Sequence, residues 1–539
     1  MQRDFAGITG IQHDVLIIGG GINGAGIARD LALRGLRVAL VDKGDFASGT
    51  SSTSTKLIHG GLRYLENFDL KLVFESCRER HILQRIAPHL VRPLPFCIPV
   101  YRDDPRPLWM VRAGLMLYDL LALFRNTGTH RILSAARALS LEPVLHPEGL
   151  RGAAVYWDCR MDDARLVLEN VLAAAAAGAM VANYVEVTGL LQRSGHVVGA
   201  RVRDGETGVE HEVSARLVIN AAGPWLDQVR HLAGDSDPVL RTTRGSHILV
   251  PRINAGTEAL YLSTGSDNRL FFVIPWGEDL SMIGTTDVDF QGDPDTVWPV
   301  DEDIDYLLAE SARHLHGTTL RRECVVAAFA GLRPLVQDNR KQASKVSREH
   351  HLFVNAGGMI SVAGGKYTTY RAVAEETARL ACQRLGIDAG RSDTARLPLP
   401  GGDGFTQLTR DWPQWQQRYR LEHKIAGRLL QRYGARAPAV LALVDAEPAL
   451  LQPVAPGSEL TRLEVAYSVQ EEMARTPHDV LRRRTPLALE RGCGLHELAA
   501  VAVQMQELLA APSSLRQRWE TDYRAGEARI GEVHHGDCR

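Results

Sequence analysis

Residues 14–65, DVLIIGGGINGAGIARDLALRGLRVALVDKGDFASGTSSTSTKLIHGGLRYL, decide the fold. An apolar run at 15–18 breaks into three glycines, continues with helical spacing to Leu33, turns at Gly35 and returns to an apolar run at 38–41 closed by Asp42. Strand, helix and strand in that order make one β-α-β unit. Gly19, Gly21 and Gly24 satisfy G-x-G-x-x-G directly after the first strand, and Asp42 follows 18 residues beyond Gly24. Each part has a task in holding a dinucleotide. The glycines let the backbone turn tightly and approach a pyrophosphate, the helix amino terminus offers it unpaired N–H groups, and the acid accepts the hydroxyls of a ribose. Glycine turns alone are common in loops, so the assignment rests on all the parts standing together.

Working outward, 539 residues exceed what one core serves and predict about three to four domains. An apolar fraction of 45% beside 23% charged residues predicts a packed globular fold. The 62 basic and 64 acidic residues nearly cancel, which argues against nucleic acid as a partner. The cysteines are scattered without C-x-x-C pairs or metal-ligand spacing, so thiols in a reducing compartment are expected and a metal site is not. The opening residues MQRDFAGITGIQH lack the apolar core of a signal peptide, and the expected location is the cytoplasmic side.

Along the chain, residues 69–86 have helical periodicity, and the proline-rich segment 93–99 marks an expected domain crossing. Residues 107–124, PLWMVRAGLMLYDLLALF, form the most apolar window. Arg112 and Asp119 interrupt it, so it is expected as an amphipathic helix, either buried in a second domain or laid on a membrane surface. A helix at 162–177 precedes short alternating runs from 181 to 218, as in a small antiparallel or mixed sheet. Residues 217–225, LVINAAGPW, repeat the strand-to-glycine-to-helix junction and bring the chain back to the nucleotide domain. Residues 241–330 are strand-rich at 247–250, 270–274, 281–285 and 325–328, lack long helices, and predict a second sheet walling a substrate cavity. Strands at 352–355 and 360–362 lead through GGKYTTY at 364–370 into a helix at 371–385. LPLPGGDGF at 397–405 is a linker by composition, and helical periodicity dominates 414–509, including 459–474 and 496–509. The expected class is α/β: a discontinuous Rossmann-like nucleotide-binding domain (1–93, 150–240, 325–396), a β-rich substrate or cap domain (94–149, 241–324) and an all-helical C-terminal domain (397–539).

Four stretches place basic or imidazole groups beside small residues: SSTSTKLIHGGLRYL at 51–65, RGSHILVP at 244–251, GLRPL at 331–335 and GGKYTTYR at 364–371. Such pairing suits an anionic substrate held against a flat cofactor, because glycine admits the cofactor while Arg or Lys holds the anion. Together with GGGINGAG, DARLVLEN, NAAGPW, GSHI and IGTTD, they make residues 13 to about 400 resemble the FAD-dependent glycerol-3-phosphate dehydrogenases of the aerobic, membrane-associated type. These sit within the wider group of D-amino-acid-oxidase-like flavoproteins. The opening motif suits many flavoproteins, whereas KLIHGGLRYL with GGKYTTYR is far more specific. Beyond residue 400 the likeness is looser.

The resemblance implies FAD as cofactor. Gly19, Gly20, Gly21, Asn23, Gly24, Asp42 and Lys43 would hold its adenosine half, with Val187, Ala222 and Gly223 beside them. Thr50, Ser51, Ser52, Lys56, Leu57, His59, Gly60 and Gly61 would line the route to the isoalloxazine. Gly364, Gly365, Lys366, Tyr367 and Thr368 would sit where helix amides stabilise negative charge on reduced flavin. Family members often carry Glu at the position of Asp42; the shorter acid still reaches a ribose diol. For the substrate, Arg63, Arg333 and Lys366 are the expected phosphate ligands, with Tyr64 assisting. Each cation alone reads more readily as a surface or interdomain salt bridge, but three in glycine-flanked motifs favour the binding role. His247 is the expected general base, with His59 as its competitor, since oxidising a secondary alcohol by hydride loss requires its hydroxyl proton to leave.

The activity implied is oxidation of sn-glycerol 3-phosphate to dihydroxyacetone phosphate, hydride passing from C2 to flavin N5 and electrons onward to a membrane quinone. The protein would lie peripherally on the cytoplasmic face of the inner membrane, with residues 107–124 as its contact, and a homodimer is an assembly the reading allows. One rival is an oxidase of the same family making H2O2 from glycerol phosphate or an amino acid, disfavoured because the family's glycerophosphate oxidases carry an insertion absent here. Another is a flavin-stabilised interaction scaffold without turnover, which the cation cluster opposes. A nicotinamide enzyme would leave GGKYTTYR without a task.

Overall fold

The computed structural model describes residues 1, 3–263, 270–317, 319–337 and 349–528. The opening unit forms strand His13–Ile18, helix Ile22–Leu33 and strand Val38–Val41. All four residues of Val38–Val41 are buried, as a near-continuous apolar run requires when a parallel sheet is covered on both faces. An eight-stranded sheet is built around this unit. Its main path runs His350–Val354, Ile360–Gly364, Glu210–Asn220, His13–Ile18, Val38–Val41 and Met180–Ala182. Neighbours are parallel except at the His350–Val354 edge. The register Ile18↔Asn220 sets the glycine turn after the first strand beside the turn at 221–223, so the chain does return to the nucleotide sheet there. Helix Ile22–Leu33 packs against helices Asp163–Ala176 and Tyr370–Leu385. Strands Val185–Arg193 and His196–Asp204 add an antiparallel extension to Glu210–Asn220.

The second sheet has ten strands, with the main path Val288–Asp289, Leu240–Pro251, Leu280–Gly284, Leu270–Trp276, Ala259–Ser263, Arg92–Tyr101, Leu150–Arg160 and Leu57–Ile58. Ala327–Val336 pairs with Leu240–Pro251, and Arg131–Ser134 with Leu150–Arg160. Several expectations change here. The prolines at 93–99 lie inside strand Arg92–Tyr101, which pairs along its whole length with Leu150–Arg160 but meets Ala259–Ser263 only at Phe96 and Cys97, leaving room for residues that lack an N–H. Residues 57–58, 150–160 and 327–336, placed by the sequence reading in the nucleotide-binding part, belong to this second sheet. The strand-rich region also contains a 14-residue helix, Asp301–His314. It buries Ile304, Leu307 and Leu308 at helical spacing behind an acid-rich first turn that masks the pattern.

Helix Leu108–Leu121 is amphipathic, as expected, with one face in the core and the other exposed. Leu115 and Tyr118 are fully buried, while Trp109, Met116 and Leu120 face outward. No helix among the described residues is long and apolar enough to cross a membrane. Cys77, Cys97, Cys159, Cys382 and Cys493 are free and buried.

The C-terminal region carries helices Phe405–Tyr419, His423–Tyr433, Ala437–Ala446, Arg462–Glu472, Leu498–Leu509 and Ser513–Ala528. A capping box of Thr461 with Glu464 starts the fourth at Arg462 rather than at 459. The expected linker is packed: Leu399 is fully buried, and the Gly401 N–H donates to Glu169 Oε2 at 2.7 Å. Beneath it lies a buried ion cluster. Asp45, in the loop after Asp42, receives Arg483 Nε and Arg484 Nη1 at 2.7 Å each, Arg484 Nη2 at 3.0 Å and Asn183 Nδ2 at 3.0 Å. Burial pushes the Asp45 carboxyl up, but Arg484 and Arg483 outweigh it and hold the pKa at about 2. Replacing Asp45 by Asn removes the carboxylate that two buried guanidinium groups share, leaving Arg483 with Asp479 and Arg484 with Glu472, and is expected to cost about 3 kcal/mol of unfolding free energy in urea titrations; an unchanged midpoint would show the cluster to be energetically idle.

Candidate active site

The glycine turn is close-packed enough to dictate its residues. A Cβ at Gly19, where φ is +105°, would fall 2.6 Å from the Ala221 carbonyl oxygen, and one at Gly24 would overlap the Gly19 carbonyl. The helix begins at Gly21 with no side-chain cap, and the Ile22 N–H donates to Ser51 Oγ at 3.0 Å. At the end of the second strand, Asp42 accepts the N–H groups of Gly20 (2.6 Å) and Gly44 (2.8 Å). Burial raises its pKa to about 6 against the pull of those two bonds. The acid therefore ties the two turns of the cradle together as well as facing its interior.

One cavity of about 1350 Å³ runs from this cradle to the second sheet. Gly19, Gly21, Asn23, Asp42 and Lys43 line it at one end, with Val187, Ala222 and Gly223. Thr50, Ser51, Leu57, His59, Gly61, Arg63 and Tyr64 continue the wall, and His247, Arg333 and Gly364, Gly365, Lys366, Tyr367 and Thr368 complete it. Gly20, Gly24, Ser52, Lys56 and Gly60 do not reach it. Gly20 and Gly24 serve the turn from behind, and Ser52 lines an adjoining recess of about 580 Å³. Gly60 donates its N–H to Tyr118 and Asp158. Lys56 is a correction of substance: its Nζ is buried, donating to Asp163 Oδ1 at 2.5 Å and to the Ser52 carbonyl at 3.1 Å, so it braces the wall instead of forming it.

Two motifs some 309 residues apart are strapped together by Thr368, whose Oγ1 receives the His59 N–H (3.2 Å) and donates to the His59 carbonyl (3.3 Å). In the same corner Lys366 Nζ lies 3.5 Å from the centroid of the Tyr64 ring. Arg333 is held as a fixed fork, Nη2 donating to Thr285 Oγ1 at 2.9 Å and Nη1 to Asp287 Oδ1 at 3.1 Å. Its guanidinium passes over Gly245, where any Cβ would overlap it. His247 comes from the same strand, two residues on, and is 2% exposed. Its ring stacks on Phe329 at 4.7 Å, and Nε2 meets Thr55 Oγ1 at 2.9 Å. Burial first, then the charges of Arg333 and Lys56, push its pKa well below 6.5, so the imidazole is neutral. Thr55, Thr285, Asp287 and Phe329 carry no role in the sequence reading. The signal for three of them was in view, since IGTTD contains Thr285 and Asp287 and SSTSTKLIHGGLRYL contains Thr55.

The arrangement can hold an extended dinucleotide from the glycine cradle to Thr368, an anion among Arg63, Arg333 and Lys366, and a neutral base beside them. Among the described residues no cluster of three or more His, Cys, Asp or Glu could hold a metal.

Residues 14–380 match the family described as FAD dependent oxidoreductase, and residues 392–513 match the C-terminal domain of alpha-glycerophosphate oxidase. The chain is 41% identical over 506 residues to a glycerol-3-phosphate dehydrogenase of Synechocystis, covering 90% of this chain and 91% of that one. It is 38% identical over 486 residues to the D-erythritol 1-phosphate dehydrogenase of Brucella abortus, covering 88% and 94%. The structure of the glycerol-3-phosphate dehydrogenase from Bacillus halodurans complexed with FAD superposes with a TM-score of 0.80 at 30% identity, covering 97% and 96%. A dinucleotide cradle, a cation cluster and a neutral histidine on one cavity, with both parts of the chain matched in order, make this chain a member of the FAD-dependent glycerol-3-phosphate dehydrogenase family within the D-amino-acid-oxidase-like flavoproteins.

Proposed function

We propose that the protein oxidises sn-glycerol 3-phosphate to dihydroxyacetone phosphate, bound FAD supplying the acceptor for the C2 hydride and passing the electrons on to a membrane quinone. The observation that carries the reading is the convergence of Arg63, Arg333, Lys366 and His247 on the cavity whose far end is the dinucleotide cradle. Arg333 is already oriented by Asp287 and Thr285, so gripping a phosphate costs it little further ordering. Neutral His247 takes the hydroxyl proton. A phosphate beside Arg333 offsets that cation's push on the imidazole, so the base strengthens as substrate arrives.

Anaerobic mixing with glycerol 3-phosphate is expected to bleach the flavin absorbance, and glycerol at the same concentration is expected to leave it. Faster bleaching by D-erythritol 1-phosphate would transfer the assignment to a four-carbon substrate, a second reading suggested by the name of the Brucella relative. Stoichiometric peroxide in air would make the protein an oxidase. For the base, His247→Asn should slow single-turnover flavin reduction by about 10²–10⁴-fold. Because the free enzyme holds His247 neutral at and above pH 6.5, kcat/KM should stay level from pH 8 down through 6.5 and fall only in more acid solution. A fall centred at 6.5 or above would count against this histidine.

We propose further that the protein lies on the membrane surface. The supporting feature is the apolar face of Trp109, Met116, Leu120 and Phe124, with Phe68 and Phe74 exposed on the elements packed beside it. Trp109→Ser and Phe124→Ser are each expected to weaken sedimentation with phospholipid vesicles on the order of tenfold, given the apolar area each removes. Turnover with a soluble electron acceptor should be unaffected; full vesicle binding by the double variant would place the contact elsewhere.

A further inference from the structure

The two ring nitrogens of His247 differ in what they can reach. Nδ1 is shielded from solvent and has no hydrogen-bond partner among the described residues. Nε2 meets Thr55 Oγ1 at 2.9 Å. The ring is closely packed in this orientation, with Phe329 stacked on one face at an interplanar angle of 10° and Gly284 against its Cδ2 edge, where a Cβ would overlap it. Thr55 is half-buried and lines the cavity. It sits between Ser54 and Lys56, both anchored on Asp163, the former through Oγ at 2.8 Å and the latter through Nζ at 2.5 Å. The threonine is therefore pinned on either side, with its hydroxyl between the cavity and the imidazole.

We propose that Thr55 is a further catalytic residue, relaying the substrate's hydroxyl proton to His247. The substrate O–H bond breaks as its proton passes to Thr55 Oγ1, and the Thr55 O–H bond breaks as its own proton passes to His247 Nε2. The electron pair of the substrate C–H bond would leave as hydride to the FAD of the proposed function, so an alcohol becomes a ketone and His247 ends as imidazolium. Accepting at Nε2 requires the resting ring to carry its hydrogen on Nδ1, where the missing acceptor adds to burial, Arg333 and Lys56 in opposing the cation. The positive charges facing His247 are partly balanced, Lys56 by Asp163 and Arg333 by Asp287. The relay rests on the reading of His247 as general base.

Thr55→Val keeps the shape and removes the hydroxyl, and Thr55→Ser restores it. With FAD-loaded protein mixed anaerobically with glycerol 3-phosphate, Thr55→Val is expected to slow flavin reduction by about 10²-fold while the substrate concentration for half-maximal rate changes little, and Thr55→Ser to recover most of the rate. In H2O–D2O mixtures the unmodified protein should give a curved dependence on deuterium fraction, as two protons move together, and Thr55→Val a linear one. An undiminished rate in Thr55→Val, or no recovery in Thr55→Ser, overturns the relay. His247→Asn separates the two ideas: if it is slow while Thr55→Val is fast, the relay alone falls, and if both are fast the base assignment falls with it.

Discussion

The site depends on how closely helix Ile22–Leu33 can approach the strand before it and the turn beside it. That distance is set where Gly19 faces the Ala221 carbonyl and Gly24 faces Gly19, contacts that leave no room for a single added carbon. Closeness lets the amino end of the helix open into the cavity, where its N–H groups and the dipole behind them favour negative charge. The same turn is cross-braced by Asp42, whose carboxylate receives backbone N–H groups from both sides of the cradle. A longer acid at this position would have to fold back to make those bonds.

The helical C-terminal region bears on this cradle from behind. Asp45 stands three residues past Asp42 and takes two arginines from the segment Asp479–Arg484. A second buried group joins Arg165 and Glu169 on the central helix to Arg436 and Glu472 in the C-terminal helices. Such groups are weak evidence for stability in themselves, because desolvating each charge costs what the pairing returns. Their effect here is geometric. Paired charges in low dielectric tolerate little displacement, so the helices hold the loop after Asp42 and the helix that carries Asp163 in one arrangement.

At the other end, electrostatics separate two roles that lie close together on a pair of adjacent strands. Arg333 is oriented by Asp287 and Thr285, while burial and that same cation disfavour imidazolium at His247. A fixed cation for an anionic group and a neutral acceptor for a proton thus arise from one local field. Phe329, stacked on His247, and Gly245, beneath the guanidinium, are the small and flat neighbours that permit both.

How much was legible beforehand follows from the range over which each interaction acts. Local rules determined the opening unit, the helices at Asp163–Ala176 and Tyr370–Leu385, the return of the chain before Gly223 and the motifs that bring Arg63, Arg333, Lys366 and His247 to line one cavity, since spacing, glycine turns and charge are written within a few residues of one another. Strand partnership is not local. Residues 57–58, 150–160 and 327–336 joined the second sheet through pairings that no window of sequence contains, and the prolines at 93–99 were admitted by a neighbour that touches their strand only at Phe96 and Cys97. Nor could the sequence show that Lys56 turns from the cavity to Asp163, that Asp45 collects arginines from more than four hundred residues away, or that Thr55 stands at Nε2 of His247. The sequence by itself determined which groups are present and which stretches turn, because those follow from short-range backbone sterics. Which side chains face the cavity, and which spend their charge on a buried partner, was decided by the tertiary structure, because burial and ion pairing exist only once distant segments are packed together.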